Sequence, residues 1–283
     1  MRFLLCLSKL PLGVLYAVTW AVYVVLYYGV RFRRPLAMDN LRRVFPDRSE
    51  AERAAISQAS YRHAGELLAE VIKGADLSAA ELQARVHFEN PEVLDACLAD
   101  GRPALLLASH HCNWEWLLAA CCVRLGGGVG AVYKPIRSMA ADRFLHYARS
   151  RFGGHPIPAA DFFVEAMRRR KTTKVFAMVA DQTPKHNEPK YWTRFLNQDT
   201  AFFLGPEKIA GLLKAPVVYV AMRRVARGRY VARFELLTES PLPKDGSMLL
   251  ERYAQAAERS VLESPADWLW MYRKWKYPRP AYD

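Results

Sequence analysis

The stretch that decides the fold is Pro103-Ala-Leu-Leu-Leu-Ala-Ser109, which is followed at once by His110-His-Cys-Asn-Trp-Glu-Trp116. A short, continuous apolar run is typical of a strand that is buried in a parallel sheet. The apolar stretch after it, up to Leu125, predicts a helix. Together they predict a strand that leads directly into a helix, which is the repeating unit of α/β folds.

The segments around this unit alternate in the same way. We predict helices at 49–73, 139–152, 161–170, 203–213 and 247–262, and further strands at 129–133, 174–180, 216–222 and 230–236. Ser49 and Glu52 form a capping box at the start of the first of these helices. Residues 182–200 are predicted to be a long polar loop, which is usually functional. We expect an α/β fold, a mostly parallel central sheet flanked by helices, in a single domain over 35–283.

The amino terminus carries a separate apolar segment. Residues 10–30, LPLGVLYAVTWAVYVVLYYGV, contain no charge and are flanked by Lys9 and by a cluster of arginines at 31–34. At about 1.5 Å per residue this helix is roughly 32 Å long, close to the ~30 Å hydrocarbon thickness of a bilayer. We therefore predict a membrane anchor over 1–34. Three alternatives remain for this segment at this point: a helix that spans the membrane, a helix that lies in the membrane interface, and a buried core helix.

Composition narrows the class of protein. The 283 residues include 41 Lys and Arg against 28 Asp and Glu, a net charge of +13, and 52% are hydrophobic. This much apolar sequence excludes a disordered chain. The positive charge predicts an anionic partner, which is nucleic acid, a phospholipid surface or an acidic substrate. The five cysteines form no C-x-x-C pair, which favours a reducing compartment.

His110 and Glu115 are the candidates for chemistry. His110 follows the predicted strand, at the sheet edge where α/β proteins bind ligands. Glu115 lies five residues later, about one turn into the next helix, so the two can form an imidazole–carboxylate pair that removes a proton from a hydroxyl. A surface pair and a packed core histidine are the alternatives. Cys112 as a nucleophile is less favoured, because a small residue that packs at a turn explains it. Zinc bound by this segment is less favoured, because adjacent ligands converge poorly on one metal.

These residues also resemble a known family. S-H-H-C-N-W-E at 109–115 is similar to the H-x-G-N-W-E motif of the bacterial lipid A late acyltransferases, the lauroyl and myristoyl transferases within the lysophospholipid acyltransferase superfamily. The resemblance extends over nearly the whole chain. It includes Arg31-Phe-Arg-Arg, Asn40-Leu-Arg-Arg-Val-Phe-Pro46, Tyr133-Lys-Pro135, Arg149-Ser-Arg-Phe-Gly153, Asp181-Gln182, Thr200-Ala201 with Gly205-Pro206, Ala215-Pro-Val217 and WLWMYRKWKYPRP at 268–280.

The resemblance implies transfer of a fatty acyl group from a thioester to a hydroxyl of a membrane lipid, without metal or cofactor. His110 would be the base and Glu115 its orienting group. Arg151 would stabilise the oxyanion, and Asp181 would be a further polar group at the crevice. The residues implied in substrate binding are Asn113, Lys134, Gln182 and His111; Asn113 could equally fix the turn, and His111 could pack beneath the site.

The resemblance also implies partners and a location. We expect acyl carrier protein, or else coenzyme A, as the acyl donor, a lipid A-type or other membrane lipid as acceptor, an anionic phospholipid surface and no nucleic acid. The protein is expected at the bacterial inner membrane with its catalytic domain on the cytoplasmic side. Lys134, Cys112 and Tyr272 depart from the family pattern, which leaves the acceptor more open than the reaction. The alternatives are a lysophospholipid or aminolipid acceptor, or a membrane-tethered lipid-binding protein without catalysis.

Overall fold

A computed structural model describes residues 1–239 and 247–280. Within these residues it contains a seven-stranded sheet between layers of helices and a separate two-stranded hairpin. The strands are β1 Val86–Phe88, β2 Ala104–Ala108, β3 Val129–Tyr133, β4 Gly154–Pro158, β5 Val175–Val179, β6 Lys190–Phe195, β7 Gln198–Phe203, β8 Val217–Ala226 and β9 Arg229–Thr238.

The large sheet has the order β1-β9-β8-β2-β5-β3-β4. All its neighbouring strands pair in parallel except β8 and β9, which form an antiparallel pair. The predicted α/β fold with a mostly parallel sheet is therefore confirmed. Strand β2 lies in the middle, between β8 and β5, which explains why its residues are almost all apolar: both of its faces are covered.

The helices cover both faces of this sheet. They are α1 Arg2–Ser8, α2 Leu12–Val24, α3 Arg34–Val44, α4 Glu50–Gly74, α5 Ala79–Gln83, α6 Glu92–Leu98, α7 Trp114–Leu125, α8 Met139–Ser150, α9 Phe162–Arg169, α10 Gly205–Leu213 and α11 Ser247–Glu263. Helix α7 packs on one face, where Leu106 and Val175 share a core with Trp116. Helices α10 and α11 pack on the other, where Leu107 and Phe176 share a core with Tyr253.

The amino-terminal helix continues from α2 through a π-helical turn, Val25–Gly29. Among the described residues, Leu12–Gly29 is the segment that is long and apolar enough to cross a bilayer, and 28% of it is buried in the protein. It is a candidate membrane anchor. The helix packs along α4, which starts with the predicted Ser49 and Glu52 capping box.

The prediction of a long loop at 182–200 is wrong for its second half. Strands β6 and β7 form an antiparallel hairpin there, and the two-residue turn between them is Leu196-Asn197, both with positive φ. Two central residues with positive φ are the signature of a type I′ turn, whose twist matches that of the strands. Tyr, Trp, Thr and Phe within Lys190–Phe195 favour a strand, but a leucine is unusual in this kind of turn.

Candidate active site

The turn between β2 and α7 places His110 at the carboxyl edge of the sheet. Asn113 ends this turn as the N-cap of α7, where its side-chain oxygen accepts from the Trp116 backbone N–H at 2.9 Å. The amide nitrogen of Asn113 donates to the fully buried Glu70 at 2.7 Å, and Tyr16 and Tyr230 also donate to that carboxylate. Burial raises the pKa of Glu70 although these hydrogen bonds oppose the shift.

His110 pairs with Asp181. Its Nδ1 lies 2.6 Å from Oδ1 of Asp181, and its backbone N–H donates to Oδ2 at 3.1 Å. Because Asp181 accepts at Nδ1, the proton of a neutral imidazole lies there and Nε2 keeps its lone pair. Nε2 lies 3.2 Å from the Gln182 amide nitrogen, and the Trp114 ring packs edge-on against the imidazole.

Asp181 is held by groups from the carboxyl-terminal segment. The Trp268 indole N–H donates to Oδ2 at 3.2 Å, and the buried ammonium of Lys274 donates to the Asp181 backbone oxygen at 2.6 Å. Burial opposes ionisation of Asp181, but the charge and hydrogen bonds of His110 and the charge of Lys274 outweigh it and lower its pKa to about 2. Burial lowers the pKa of Lys274 to about 8, although the charge of Asp181 opposes this shift.

The predicted pairing of His110 with Glu115 is not formed. Both carboxylate oxygens of Glu115 instead accept from Arg149, at 2.8 Å from Nε and 2.6 Å from Nη2, and Oε1 also accepts from the Trp114 indole. The physical reason is that Arg149 offers a planar fork that matches a carboxylate, whereas Asp181 already occupies the Nδ1 side of the imidazole. Burial tends to lower the pKa of Arg149, but Glu115 raises it above its ordinary value.

Arg151 is not at the crevice. Its Nη1 donates to the backbone oxygens of Gly74 and Leu77, at 2.9 and 2.7 Å, and its guanidinium lies over the Phe152 ring. Arg151 therefore ties the end of α4 to the end of α8. Arg149, two residues earlier in the same sequence motif, is the arginine that lines the cavity.

A cavity of about 450 Å³ opens beside His110, and Glu115, Lys134, Arg149 and Gln182 share its wall. Its remaining lining is largely apolar and comes from three adjacent strands and α7. That lining includes Leu106, Ala108, Ala131, Ala177, Leu117 and Cys121. A few polar groups at one end of an apolar cavity are typical of a site for an amphipathic ligand.

Two of the predicted binding residues line the cavity and two lie behind it. Lys134 extends from the end of β3, with its ammonium 3.9 Å from Glu188, and Gln182 follows Asp181. Asn113 is fully buried and fixes the turn. His111 is also buried, with its ring nitrogens 3.2 and 3.0 Å from the backbone oxygens of Met222 and Ser264.

Cys112 and His111 lie together on the buried side of the turn between β2 and α7. Cys112 has a φ of 55°, and its thiol donates to the Met222 backbone oxygen at 3.1 Å. Burial raises the pKa of this thiol well above its ordinary value, which is the opposite of what a nucleophile requires. Potential ligand atoms of His111, Cys112 and Asp267 lie within 4.8 Å of one another, but both nitrogens of His111 already face carbonyl oxygens.

Three residues of the site were not predicted from the sequence. Arg149 belongs to the Arg149–Gly153 motif, but the resemblance assigns the oxyanion role to its neighbour Arg151. Trp268 and Lys274 belong to the carboxyl-terminal motif, for which the resemblance implies no role. Tyr272, noted as a departure, accepts from the Thr183 backbone N–H at 3.1 Å and so supports the segment that carries Asp181.

The fold and the site define the class of protein as an α/β enzyme with a histidine–aspartate pair next to an apolar cavity. The family model for bacterial lipid A biosynthesis acyltransferase matches residues 1–277. The chain therefore belongs to this bacterial, membrane-associated family, and it is an acyltransferase that acts on lipid A-type substrates. The predicted family is confirmed. A comparison with individually curated proteins gives no match.

Proposed function

We propose that this chain transfers a fatty acyl group from a carrier thioester to a hydroxyl of a lipid A-type acceptor, with His110 as general base and Asp181 as its orienting partner. The observation that carries this proposal is the 2.6 Å contact between His110 Nδ1 and Asp181 Oδ1 at the cavity wall. Glu115, which the sequence favours for this role, acts through Arg149 instead.

The path of the proton during transfer follows from the tautomer of His110. Nε2 accepts the proton of the acceptor hydroxyl while its oxygen attacks the thioester carbonyl carbon. The C–S bond then breaks, the carbonyl re-forms, and the imidazolium returns the proton to the leaving thiolate. Asp181 stays ionised throughout, because its pKa of about 2 lies far below neutral pH, and it stabilises the imidazolium.

Gln182 marks the position of the acceptor hydroxyl. Its amide nitrogen lies 3.2 Å from Nε2, so the side chain donates to the lone pair that the hydroxyl needs. Gln182 is exposed, and a side-chain rotation frees this lone pair. We infer that acceptor binding displaces the amide.

Arg149 is the candidate for stabilising the oxyanion. Glu115 holds its Nε and Nη2, and among the described residues nothing accepts from its Nη1. An arginine fixed on one side of its fork presents the other donors in a set direction. The Nη1 N–H groups are therefore available to the thioester oxygen as it becomes negative.

The apolar part of the cavity fits the acyl chain. Strand register aligns Leu106 of β2, Ala177 of β5 and Ala131 of β3 in one row across the sheet, and the next row inward, Ala104, Val175 and Val129, is fully buried. The first row thus forms the closed end of the apolar part of the cavity, which we call the slot. His110 lies four positions beyond Leu106, about 13 Å at the ~3.3 Å rise of a strand, and this length accommodates about ten carbon–carbon bonds.

The proposals for the acyl donor and for the cellular location rest on the positive charge near the cavity. Residues 134–171, which include part of the cavity wall, carry nine Lys or Arg and three Asp or Glu. Such a surface attracts an acidic carrier protein and anionic lipid. We therefore propose acyl carrier protein as the donor, at the cytoplasmic side of the inner membrane.

The experiment is an acyl-transfer assay with purified full-length protein in detergent. It uses acyl carrier protein or coenzyme A thioesters, with a hydroxyl-bearing lipid A precursor or a lysophospholipid as acceptor. We expect transfer from the carrier protein to the lipid A precursor, loss of at least 100-fold in His110→Ala, and full activity in the exposed control His87→Ala. Equal rates for wild type and His110→Ala contradict the proposal, and preference for the lysophospholipid reassigns the acceptor.

A further inference from the structure

The amino-terminal helix is in contact with the catalytic domain at both of its ends. At the beginning, the Lys73 ammonium of α4 donates to the Ser8 backbone oxygen at 3.0 Å. At the far end, the Tyr61 hydroxyl of α4 donates to the Phe32 backbone oxygen. The amino-terminal helix and α4 therefore run side by side in opposite directions over the full length of the apolar segment.

Contacts in between confirm this arrangement. Tyr16 donates to Glu70 at 2.7 Å, and Gln58 contacts the Tyr28 hydroxyl. The two backbones approach closely at Gly65, where a β-carbon would lie 3.1 Å from the Thr19 backbone oxygen. A glycine allows this approach, so the helix is packed on the domain rather than loosely apposed to it.

The outer face of the same helix is apolar and uncovered. The buried face consists of Leu15, Tyr16, Thr19, Tyr23 and Tyr27. The exposed face carries a stripe of valines at helical spacing, namely Val14, Val18, Val22 and Val25, and Trp20 is exposed at the other edge of this face. Val18 is 56% and Trp20 is 54% exposed. An uncovered apolar stripe of this length marks an interaction surface.

A transmembrane orientation conflicts with these contacts. If the helix crossed the bilayer, α4 would cross beside it, and the charged groups on α4 would lie at the same depth. Arg62 of α4 is exposed, and the half-exposed Arg227, in the turn between β8 and β9, lies over the ring of Tyr16 near the start of the segment. Placing these charges in hydrocarbon is costly, whereas a helix in the plane of the interface leaves them in water.

We propose that the amino-terminal helix lies in the plane of the membrane interface, with its valine stripe inserted into one leaflet of an anionic bilayer, and does not span it. The occupant of the exposed face is lipid. Basic side chains at both ends of the segment, Lys9 and the arginines at 31–34, fit contact with lipid headgroups. Both ends of the segment then lie on the same side of the membrane as the catalytic domain.

The first test determines on which side each end lies. Full-length protein with Cys6→Ser and Cys97→Ser receives one reporter, Lys9→Cys before the helix or Leu262→Cys on the exposed surface of α11. The buried Cys112, Cys121 and Cys122 remain as a common background, measured in the variant without a reporter. A membrane-impermeant maleimide is applied to intact spheroplasts and to inverted inner-membrane vesicles.

We expect both reporters to react from one and the same side. Reaction of Lys9→Cys and Leu262→Cys from opposite sides overturns the proposal, because it requires a span. Acyl-transfer activity of each reporter variant in detergent shows that it is folded, so the labelling pattern is read only from active protein.

The second test identifies what covers the valine stripe. A fluorophore is attached to Val18→Cys in the same background, and the protein is reconstituted into vesicles of phosphatidylethanolamine and phosphatidylglycerol that carry nitroxide-labelled acyl chains. We expect at least twofold quenching at this position and none at Leu212→Cys, an exposed apolar site at the end of α10. Equal quenching at both positions, or none at Val18→Cys, contradicts insertion.

Discussion

The Nδ1 atom of His110 lies 2.6 Å from Oδ1 of Asp181, and this contact follows from the pairing of two strands. Strands β2 and β5 are parallel neighbours in which Ala108 stands opposite Val179. Two residues further along each strand, the register brings His110 opposite Asp181. The pairing of His110 with Asp181 is thus set by the sheet, because each residue closely follows the end of one of two neighbouring strands.

Arg149 and Arg151 provide a matched test of the oxyanion assignment. We predict that Arg149→Ala lowers kcat by about 10²–10³-fold, because it removes a donor fixed by Glu115. Arg151→Ala should leave kcat within a few-fold, since Arg151 holds only the Gly74 and Leu77 carbonyls, and should instead lower the melting temperature. Steady-state kinetics and thermal unfolding of both variants check this. Equal loss of kcat in the two variants contradicts it.

The row at the closed end of the slot predicts control of acyl-chain length. Ala177→Leu should shift the preferred chain toward shorter acyl groups by about two carbons, because the new side chain extends about two bonds into the slot. Leu106→Ala should shift it the other way, with a loss of stability of about 2–5 kcal/mol. The exposed Ala96→Leu is the control. Mass spectrometry of the acylated lipid gives the chain length, and an unchanged product distribution in both slot variants rules out this end of the cavity.

Glu70 supports the turn between β2 and α7 through its hydrogen bond with Asn113. Glu70→Ala leaves three buried donors without their acceptor, on Tyr16, Asn113 and Tyr230, so we predict a loss of about 3 kcal/mol or more in the free energy of unfolding. Tyr16→Phe removes one hydrogen bond and should cost about 1 kcal/mol. Denaturant unfolding in detergent measures both. Similar values for the two variants would show that the carboxylate is not the centre of this network.

The lowered pKa of Lys274 predicts that the stability of the protein depends on pH. Its pKa in the folded protein, about 8, lies below that of an unfolded lysine, about 10.5, so between these values the unfolded chain binds more protons and stability rises with pH. Below pH 8, Lys274 is charged in both the folded and the unfolded protein. Its burial then lowers the free energy of unfolding by an amount that does not change with pH. The stability of Lys274→Met relative to wild type should therefore decrease by about 2 kcal/mol from pH 7 to pH 10. A difference that does not change with pH contradicts the depressed pKa.

The sequence was sufficient for the fold class and for the position of His110, because a continuous apolar strand before a capped helix has few other interpretations. It was insufficient for the partner of His110. Glu115 is close along the chain, whereas Asp181 lies 71 residues away and becomes a neighbour only through the order β2–β5. Spacing within a motif describes local geometry, but the order of strands depends on long-range packing that no local pattern contains.

The sequence motif does not show which of Arg149 and Arg151 faces the cavity, and the reason is similar. The two residues lie at the end of α8 and point to different neighbours, one to Glu115 and one to the end of α4. Two residues of separation on a helix correspond to about 200°, so only one can face the cavity. Which one does so depends on how α8 packs on α7, and this was not available from the sequence.

The most direct test of the central claim is a double-mutant cycle on kcat for His110 and Asp181, with Glu115→Gln measured alongside. We predict that Asp181→Asn lowers kcat by about 10²–10⁴-fold, because the amide favours the wrong imidazole tautomer, and that adding it to His110→Ala causes no further loss. Activity of Asp181→Asn within twofold of wild type, or losses that simply add in the double variant, would contradict a catalytic His110–Asp181 pair.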